Sequence, residues 1–186
     1  MFARTERLML RPGWIEDAPA LAHAIGDEAV VRNLARAPWP YGVRDAEAFL
    51  RDGTRHGPLP DLLIFARTWG SPRLVGGIGL TPTAAGEAEL GYWIARPYWG
   101  LGFATEAGRA VVALAHQSLR VPRLTAHCHL DNPASSHVLR KLGFTVTGRV
   151  SMRACHARGG LVPSAGYARE DDAILIDTAR APRLAA

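Results

Sequence analysis

The spacing of apolar and polar residues predicts a strand followed by two or three helices in the first third of the chain. The strand is predicted from Arg7 to Arg11. Asp17 is expected to cap a first helix, and a second helix is predicted from Glu28 to about Arg36. Asp45 is expected to cap a third helix, which ends near residue 53. Prolines and glycines separate these segments, as expected of loops.

The spacing of apolar residues then changes from helical to strand-like, and the remaining predicted elements are three strands, a helix, a strand, a helix and two strands. The resulting prediction is an α/β fold with one mixed sheet of about seven strands and helices on both faces. Because no repeat or linker interrupts the pattern, residues 1–186 are predicted to form a single domain. Strands are predicted at 62–68, 73–80, 87–94, 123–130, 144–152 and 171–177, helices from about 103 and from 132 to 143, and a loop at 154–169.

Composition narrows the class of protein. Hydrophobic residues make up 48% of the 186 residues and charged residues 21%, as in ordinary globular proteins. No apolar run is long enough to span a membrane, and charges interrupt the apolar residues at the start of the chain. We therefore expect no membrane partner, no secretory leader and a cytoplasmic protein. Cys128 and Cys155 lie too far apart to suggest a zinc motif.

The charge of the chain does not indicate a nucleic-acid partner. The formal net charge is +5, but the arginines are scattered and Lys141 is the single lysine. Nucleic-acid binding usually requires a clustered basic patch. The excess charge is equally compatible with an anionic cofactor, so no nucleic acid is expected.

The segment "RPYWGLGFATEA", residues 96–107, carries the most informative chemistry. Gly100 and Gly102 lie between a predicted strand and a predicted helix. Glycines allow close approach of the backbone N–H groups to a ligand, and a helix N-terminus favours an anion. No lysine follows Gly102, so the segment does not match a nucleoside-triphosphate loop. A diphosphate held by backbone amides, as in coenzyme A, is the ligand that fits.

Four segments in order resemble the GNAT superfamily of acyl-CoA-dependent N-acetyltransferases. They are "TERLMLRP", "PWPYGVRDAEAFL", "ELGYWIARPYWGLGFATEA" and "HLDNPASSHVLRKLGF", and the resemblance covers roughly residues 4–150, most of the chain. The first two resemble the branch that acetylates N-terminal amines of ribosomal proteins. The chain departs from the usual superfamily motif because Pro97 replaces the Gln or Arg that normally opens the diphosphate loop.

The resemblance implies a mostly antiparallel central sheet and a donor site for acetyl-CoA, with no metal. It implies that the strand at 89–94 diverges from the strand at 124–130, so that the pantetheine arm pairs with a free backbone edge. An N–H group of this edge would hold the thioester oxygen. The residues expected to bind the cofactor are Tyr92, Trp93, Ile94, Trp99, Gly100, Leu101, Gly102, Phe103, Ala104, Thr105 and Asn132.

Glu89 is the predicted general base, because related enzymes often place a glutamate on this strand. Direct attack of a neutral amine on the thioester requires such a proton acceptor. Glu87 and Glu28 are alternatives, and Glu89 could also be a solvated carboxylate at the end of a strand.

Ser135 is the predicted general acid. Many family members carry a tyrosine further along this helix, but that position is Leu139 here. Ser135 could instead only cap the helix, and the thiolate could leave without help, since a thiol has a pKa of about 8.5.

The acceptor is expected to bind between the loop at 36–43, with Trp39 and Tyr41, and the loop at 154–169. Few carboxylates lie in these segments, which favours a peptide N-terminus or small amine over a polycation. Three alternatives remain, namely a non-catalytic acyl-CoA sensor, an antibiotic or polyamine acetyltransferase, and a nucleic-acid-associated domain. A further expectation is that two copies of the chain associate through the last strands to form a homodimer.

Two further groups of polar residues have open roles. His127 and His129 share a strand face, but no third ligand is spaced to complete a metal site. Arg140 and Lys141 are candidates for contact with the 3′-phosphate of coenzyme A, or for a plain exposed helix face.

Overall fold

An eight-stranded sheet organises the chain in the computed structural model, which describes residues 2–53, 59–67, 70–83 and 86–170. The strand order is β1-β2-β3-β4-β5-β6-β8-β7. The strands are β1 (Ala3–Arg4), β2 (Leu8–Arg11), β3 (Asp61–Ala66), β4 (Arg73–Pro82), β5 (Ala88–Ile94), β6 (Arg123–His129), β7 (Thr145–Cys155) and β8 (Gly160–Glu170). The helices are α1 (Ala18–Ile25), α2 (Glu28–Val31), α3 (Val43–Gly53), α4 (Phe103–Gln117) and α5 (Pro133–Lys141).

Helices cover both faces of this sheet, as predicted. The first core lies under α4 and α5, where side chains such as Val111 and Leu139 pack against the strands. The second core lies under α1, α2 and α3, where Leu21 and Ala46 pack against Leu63. Alternation along β5 sends Leu90 to the first core, so Glu89 and Gly91 lie on the face of the second core.

The sheet is mostly antiparallel, which confirms the predicted class. Of the neighbouring strand pairs that the structure describes, β5 and β6 form the one parallel pair. The described residues form eight strands rather than about seven, since Ala3–Arg4 and Gly160–Glu170 are strands that were not predicted, while the strand predicted at 171–177 lies outside the described residues.

The prediction of a loop at 154–169 is wrong. Residues Gly160–Glu170 form β8, which lies between β6 and β7 and is hydrogen-bonded to both. The turn before β8 uses Gly159 with φ of +66°, and Tyr167 is buried in the first core. Glycine and arginine made this segment look like a loop, but pairing on two edges satisfies its backbone. The strand predicted at 171–177 lies outside the described residues.

The predicted helix starts are confirmed only in part. Asp17 is the N-cap residue of α1, as predicted, but its side chain makes no capping bond to this helix, and Arg11 binds both of its carboxylate oxygens at 2.8 Å. Helix α3 begins at Val43, two residues before Asp45, whose carboxylate accepts the N–H of Gly42 at 2.8 Å. The second helix ends at Val31 rather than near residue 36. Within the described ranges, no helix is long and apolar enough to cross a membrane.

Candidate active site

Strands β5 and β6 diverge immediately after they meet. Their ladder consists of the pairs Ala88 with Leu124 and Glu89 with Thr125, and it ends there. Beyond Glu89, the edge of β5 that faces β6 has no ladder partner among the described strands. The predicted divergence is therefore present, and it leaves a cleft with an open backbone edge on one side.

The backbone groups that face this cleft are those of alternate residues. The N–H of Ala95 donates to the carbonyl of Val75 on β4 at 2.9 Å. Because successive residues of a strand direct their N–H and C=O groups to opposite edges, Tyr92 and Ile94 face the cleft. Trp93 was predicted to do so as well, but by the same alternation its backbone groups point to β4. Its indole ring instead lies over Gly77.

The carbonyl of Ile94 is already occupied. The indole N–H of Trp99 donates to it at 2.7 Å, which fixes Trp99 against the end of β5. The groups that remain directed at the cleft are the N–H of Ile94 and the N–H and C=O of Tyr92. These can pair with an extended amide chain as a further strand would.

The glycine turn follows β5 and leads into α4. Gly100 and Gly102 have φ angles of +77° and +80°, in the left-handed region that favours glycine. Helix α4 begins at Phe103, as predicted, and Gly102 is its N-cap residue. The N–H groups in the first turn of a helix, here those of Ala104 and Thr105, have no acceptor within the helix. The turn thus presents the combination of backbone donors and helix dipole that binds anions.

Glu106 joins this turn to the start of the chain, a contact that the sequence analysis missed. Its Oε1 accepts the hydroxyl of Thr5 at 2.6 Å and the N–H of Arg7 at 2.9 Å, and its Oε2 accepts Nε of Arg7 at 2.7 Å. Burial alone would raise the pKa of Glu106, but the hydrogen bonds from Thr5 and Arg7 together lower it. Thr5, Arg7 and Glu106 all lie in segments quoted in the sequence analysis, but nothing in those segments indicated that the three residues meet.

The N-terminus of α5 forms the other wall of the cleft. The side chain of Asn132 accepts the N–H of Ser135 at 3.1 Å, which confirms Asn132 as the N-cap residue. Ser135 is therefore not the cap. Its Oγ lies 2.9 Å from the phenolic oxygen of Tyr92, which also donates to the Ser135 carbonyl at 3.1 Å. Burial raises the pKa of Tyr92, so this phenol stays protonated at neutral pH.

Glu89 is not a solvated carboxylate, since two basic side chains contact it. Nη2 of Arg153 lies 2.5 Å from its Oε1, and Nδ1 of His127 lies 3.3 Å from its Oε2. Burial raises the pKa of Glu89, but the contacts with His127 and Arg153 outweigh it and lower the pKa below the ordinary value. Glu89 is thus ionised at neutral pH.

Further arginines lie on the same face, near the end of β6. Arg158 binds both oxygens of Asp131, at 2.8 and 3.1 Å, and Arg32 approaches Asp131 at 3.4 Å. His129 is buried among these groups, and its pKa is lowered by burial and by the charge of Arg158. Around Glu89 and Asp131, three guanidinium groups therefore accompany two carboxylates.

The turn between β7 and β8 contacts the segment after α2. The N–H of His156 donates to the carbonyl of Ala35 at 3.1 Å, and Ala157 packs against the second core. Tyr41 and Trp93 pack against the same core, so the structure brings Tyr41 to the face of Glu89. Trp39 is 45% exposed and is not part of that packing.

The other candidates from the sequence lie elsewhere or are occupied. Glu87 pairs with Arg123 at 2.9 Å, and Glu28 is exposed at the start of α2. Arg140 and Lys141 are exposed in the last turn of α5. Over the described part of the chain, no group of three or more potential metal ligands is present.

Comparison with known proteins agrees with this geometry. A family model described as an acetyltransferase (GNAT) domain matches residues 7–145. The chain belongs to the GNAT acetyltransferase family. The GNAT relatives include an N-acetyltransferase p20 of Bacillus licheniformis, 29% identical over 77% of this chain and 82% of its own length. Another, YoaA of Bacillus subtilis, is 31% identical with the same coverage. Over 61 residues the chain is 34% identical to a ribosomal-protein-serine acetyltransferase of Escherichia coli.

Solved GNAT structures share the fold. An acetyltransferase of Bacillus anthracis superposes with a TM-score of 0.78 at 22% identity, covering 91% of this chain and 98% of its own. A ribosomal L7/L12 α-N-protein acetyltransferase in complex with coenzyme A gives 0.77 at 22% identity, covering 93% and 99%. A microcin C7 self-immunity acetyltransferase in complex with acetyl-CoA and AMP gives 0.75 at 20% identity, covering 90% and 94%. The predicted fold, family and enzyme class are thereby confirmed.

Proposed function

We propose that this protein transfers the acetyl group of acetyl-CoA directly to a primary amine within a ternary complex. The observation that supports this most strongly is the divergence of β5 from β6 beside the glycine turn. One arrangement thus offers an open strand edge for an amide-containing arm and an anion site for a diphosphate. We further propose that residues 1–186 act as one domain in the cytoplasm, without a nucleic-acid partner.

The described residues fit acetyl-CoA as the donor. The amides of the turn from Gly100 to Thr105 would hold the diphosphate, and a Cβ built on Gly100 would meet no described atom within 4 Å. The edge at Tyr92 and Ile94 would pair with the pantetheine arm. Asn132 lies at the opposite wall, where its side chain holds the start of α5.

The two catalytic roles fall to residues on opposite faces of β5. Acetyl-CoA supplies an activated acyl thioester, so the protein has only to deliver a neutral amine and a proton. Glu89, ionised beside His127, would accept the proton of the amine, directly or through water. Ser135 would give its hydroxyl proton to the departing sulfur and regain a proton from solvent water, with the Tyr92 phenol holding the serine in place.

The charges around Glu89 bear on the acceptor. Arg32, Arg153 and Arg158 line this face, whereas Glu89 and Asp131 supply its carboxylates. A polyamine would be repelled by this arrangement. A peptide N-terminus or a small amine with one positive charge fits better, and the half-buried Tyr41 would supply an apolar contact beside it.

A homodimer remains part of the proposal. Val146, Val150 and Met152 are exposed on β7, which lies at the edge of the sheet in the described residues. Exposed apolar residues on an edge strand are a common route to association. Light scattering at two protein concentrations would test it, and a strictly monomeric mass would refute it.

A thiol-release assay with acetyl-CoA tests the function. The acceptors would be a panel of short peptides with free N-termini, small monoamines and spermidine. We expect turnover with a peptide or monoamine and little with spermidine. Binding of acetyl-CoA without turnover of any acceptor would instead support the non-catalytic sensor. The feature that favours this alternative is Leu139, which occupies the usual tyrosine position and is buried in the first core.

A further inference from the structure

One side chain, Arg7, contacts both the glycine turn and the first turn of α4. Its Nη1 donates to the carbonyl of Leu101 at 3.0 Å, while its Nε and Nη2 both lie 2.7 Å from Oε2 of Glu106. Its guanidinium carbon also lies 4.8 Å from the centre of the Phe103 ring. One guanidinium thus bridges the turn, the first residue of α4 and a carboxylate one helical turn later.

The contact with Leu101 fixes the direction of the next amide. In a trans peptide the C=O and N–H groups point in opposite directions. Because Arg7 holds the carbonyl of Leu101 outward, the N–H of Gly102 is aimed away from Arg7. The turn can hold this orientation since Gly102 has φ of +80°, a value that other residues rarely adopt.

The contact between Arg7 and Glu106 offsets the negative charge of the Glu106 carboxylate. Glu106 lies in the first turn of α4, where a carboxylate interacts favourably with the helix dipole. The same carboxylate would repel a diphosphate bound at that terminus. Arg7 neutralises Glu106, and the hydroxyl of Thr5 occupies its other oxygen. The Glu106 side chain is only 17% exposed, so solvent screens its charge poorly.

We propose that Arg7 is a positioning residue for the donor: it aims the Gly102 amide at the diphosphate and cancels the charge of Glu106. This inference rests on the proposed function, since it assumes that acetyl-CoA occupies the turn. Arg7 acts through the backbone and through Glu106 and takes no part in the transfer of the acetyl group.

The test compares two acetyl donors. Acetyl-CoA carries the diphosphate and S-acetylpantetheine lacks it, so a defect in the turn should affect only the first. For Arg7→Gln we expect about tenfold weaker binding of acetyl-CoA, with kcat at saturation and the KM of the acceptor unchanged. Turnover of S-acetylpantetheine should equal that of the wild type. Arg4→Gln is the matched control, because Arg4 is exposed on β1, the strand that pairs with β2.

Two further variants separate the two parts of the proposal. Arg7→Lys keeps the charge, but one ammonium group cannot reach both Leu101 and Glu106 as the guanidinium does. An intermediate loss is expected, and this variant carries the test if Arg7→Gln does not fold. Arg7→Gln combined with Glu106→Gln should regain part of the lost affinity, because the repelling charge is gone.

Several outcomes would overturn the proposal. Unchanged affinity of Arg7→Gln for acetyl-CoA would do so, as would an equal loss with both donors or a change in the KM of the acceptor. Wild-type protein that does not bind acetyl-CoA would refute the proposed function itself. Wild-type binding with an unaffected Arg7→Gln variant would refute only the role of Arg7.

Discussion

The two halves of the candidate active site are built on different principles. The proposed donor half, formed by the end of β5, the glycine turn and the N-termini of α4 and α5, uses mainly backbone groups. The proposed acceptor half, formed by the Glu89 face with β7, β8 and the segment after α2, uses charged side chains. Arg153 reaches Glu89 across 64 residues of sequence, whereas the glycine turn is continuous in the chain. A backbone site can therefore be recognised locally, and a side-chain site depends on how distant strands pair.

This difference predicts which substitutions affect which substrate. Changes around Glu89 should alter turnover and leave donor affinity intact, and changes in the glycine turn should do the reverse. The following variants test that separation, from the largest expected effect to the smallest.

Glu89→Gln should lower kcat by roughly 10²- to 10⁴-fold, the usual contribution of a general base. The affinity for acetyl-CoA should stay within a factor of about two, because no donor contact is expected at Glu89. Steady-state kinetics and calorimetry measure the two quantities. Glu87→Gln is the control, since Glu87 is paired with Arg123 outside the cleft. Full activity of Glu89→Gln would mean that another group accepts the proton.

Gly102→Ala should weaken acetyl-CoA binding about tenfold and destabilise the fold by about 1–2 kcal/mol, because alanine is strained at positive φ. Gly159→Ala is a matched control, with φ of +66° in the turn before β8. It should show a similar loss of stability in denaturant and no loss of donor affinity. Equal affinity losses in both variants would show that strain alone, and not the turn, governs binding.

Arg153→Gln should shift the acid limb of the kcat profile to higher pH. The contacts with His127 and Arg153 hold the pKa of Glu89 below its ordinary 4.5, so removing a positive charge raises it. The same pair contributes to stability above pH 4.5, and this contribution is lost as the pH falls through the lowered folded value. In the variant this contribution should be smaller, and its loss should be complete at a higher pH, because the folded pKa lies closer to 4.5. The exposed Arg149 of the same strand provides the control Arg149→Gln, and coincident pH profiles for both variants would contradict the role of Arg153.

Tyr92→Phe should have the smallest effect, a few-fold decrease in kcat and a loss of about 1 kcal/mol in stability for one missing hydrogen bond. Donor affinity should be kept, because the backbone edge is unchanged. Ser135→Ala should lower kcat further than Tyr92→Phe if the serine supplies the proton. A greater effect of Tyr92→Phe would assign the proton to the phenol instead.

The same division explains what the sequence could predict. The glycine turn, the start of α4 at Phe103 and the Asn132 cap follow from local rules on glycine, helix ends and capping, and the structure agrees with all three. The assignment of Trp93 to the cleft was wrong, because the resemblance gives the strand but not which of its residues face the open edge. That depends on the register with β4.

The acceptor half was predicted poorly for a related reason. The segment 154–169 has the composition of a loop, and it becomes a strand because β6 and β7 offer it hydrogen bonds on both edges. Arg153 and Arg158 consequently could not be placed near Glu89 and Asp131. Arg7 was quoted within a family motif, yet its contact with Glu106 spans 99 residues and required the folded chain.

The most direct test of this account is isothermal titration of acetyl-CoA into the wild type, Glu89→Gln and Gly102→Trp. We predict saturable binding of similar affinity to the wild type and Glu89→Gln, and none to Gly102→Trp, where the bulky side chain fills the turn. Absence of binding to the wild type, or binding that survives in Gly102→Trp, would contradict the assignment of the glycine turn as the donor site.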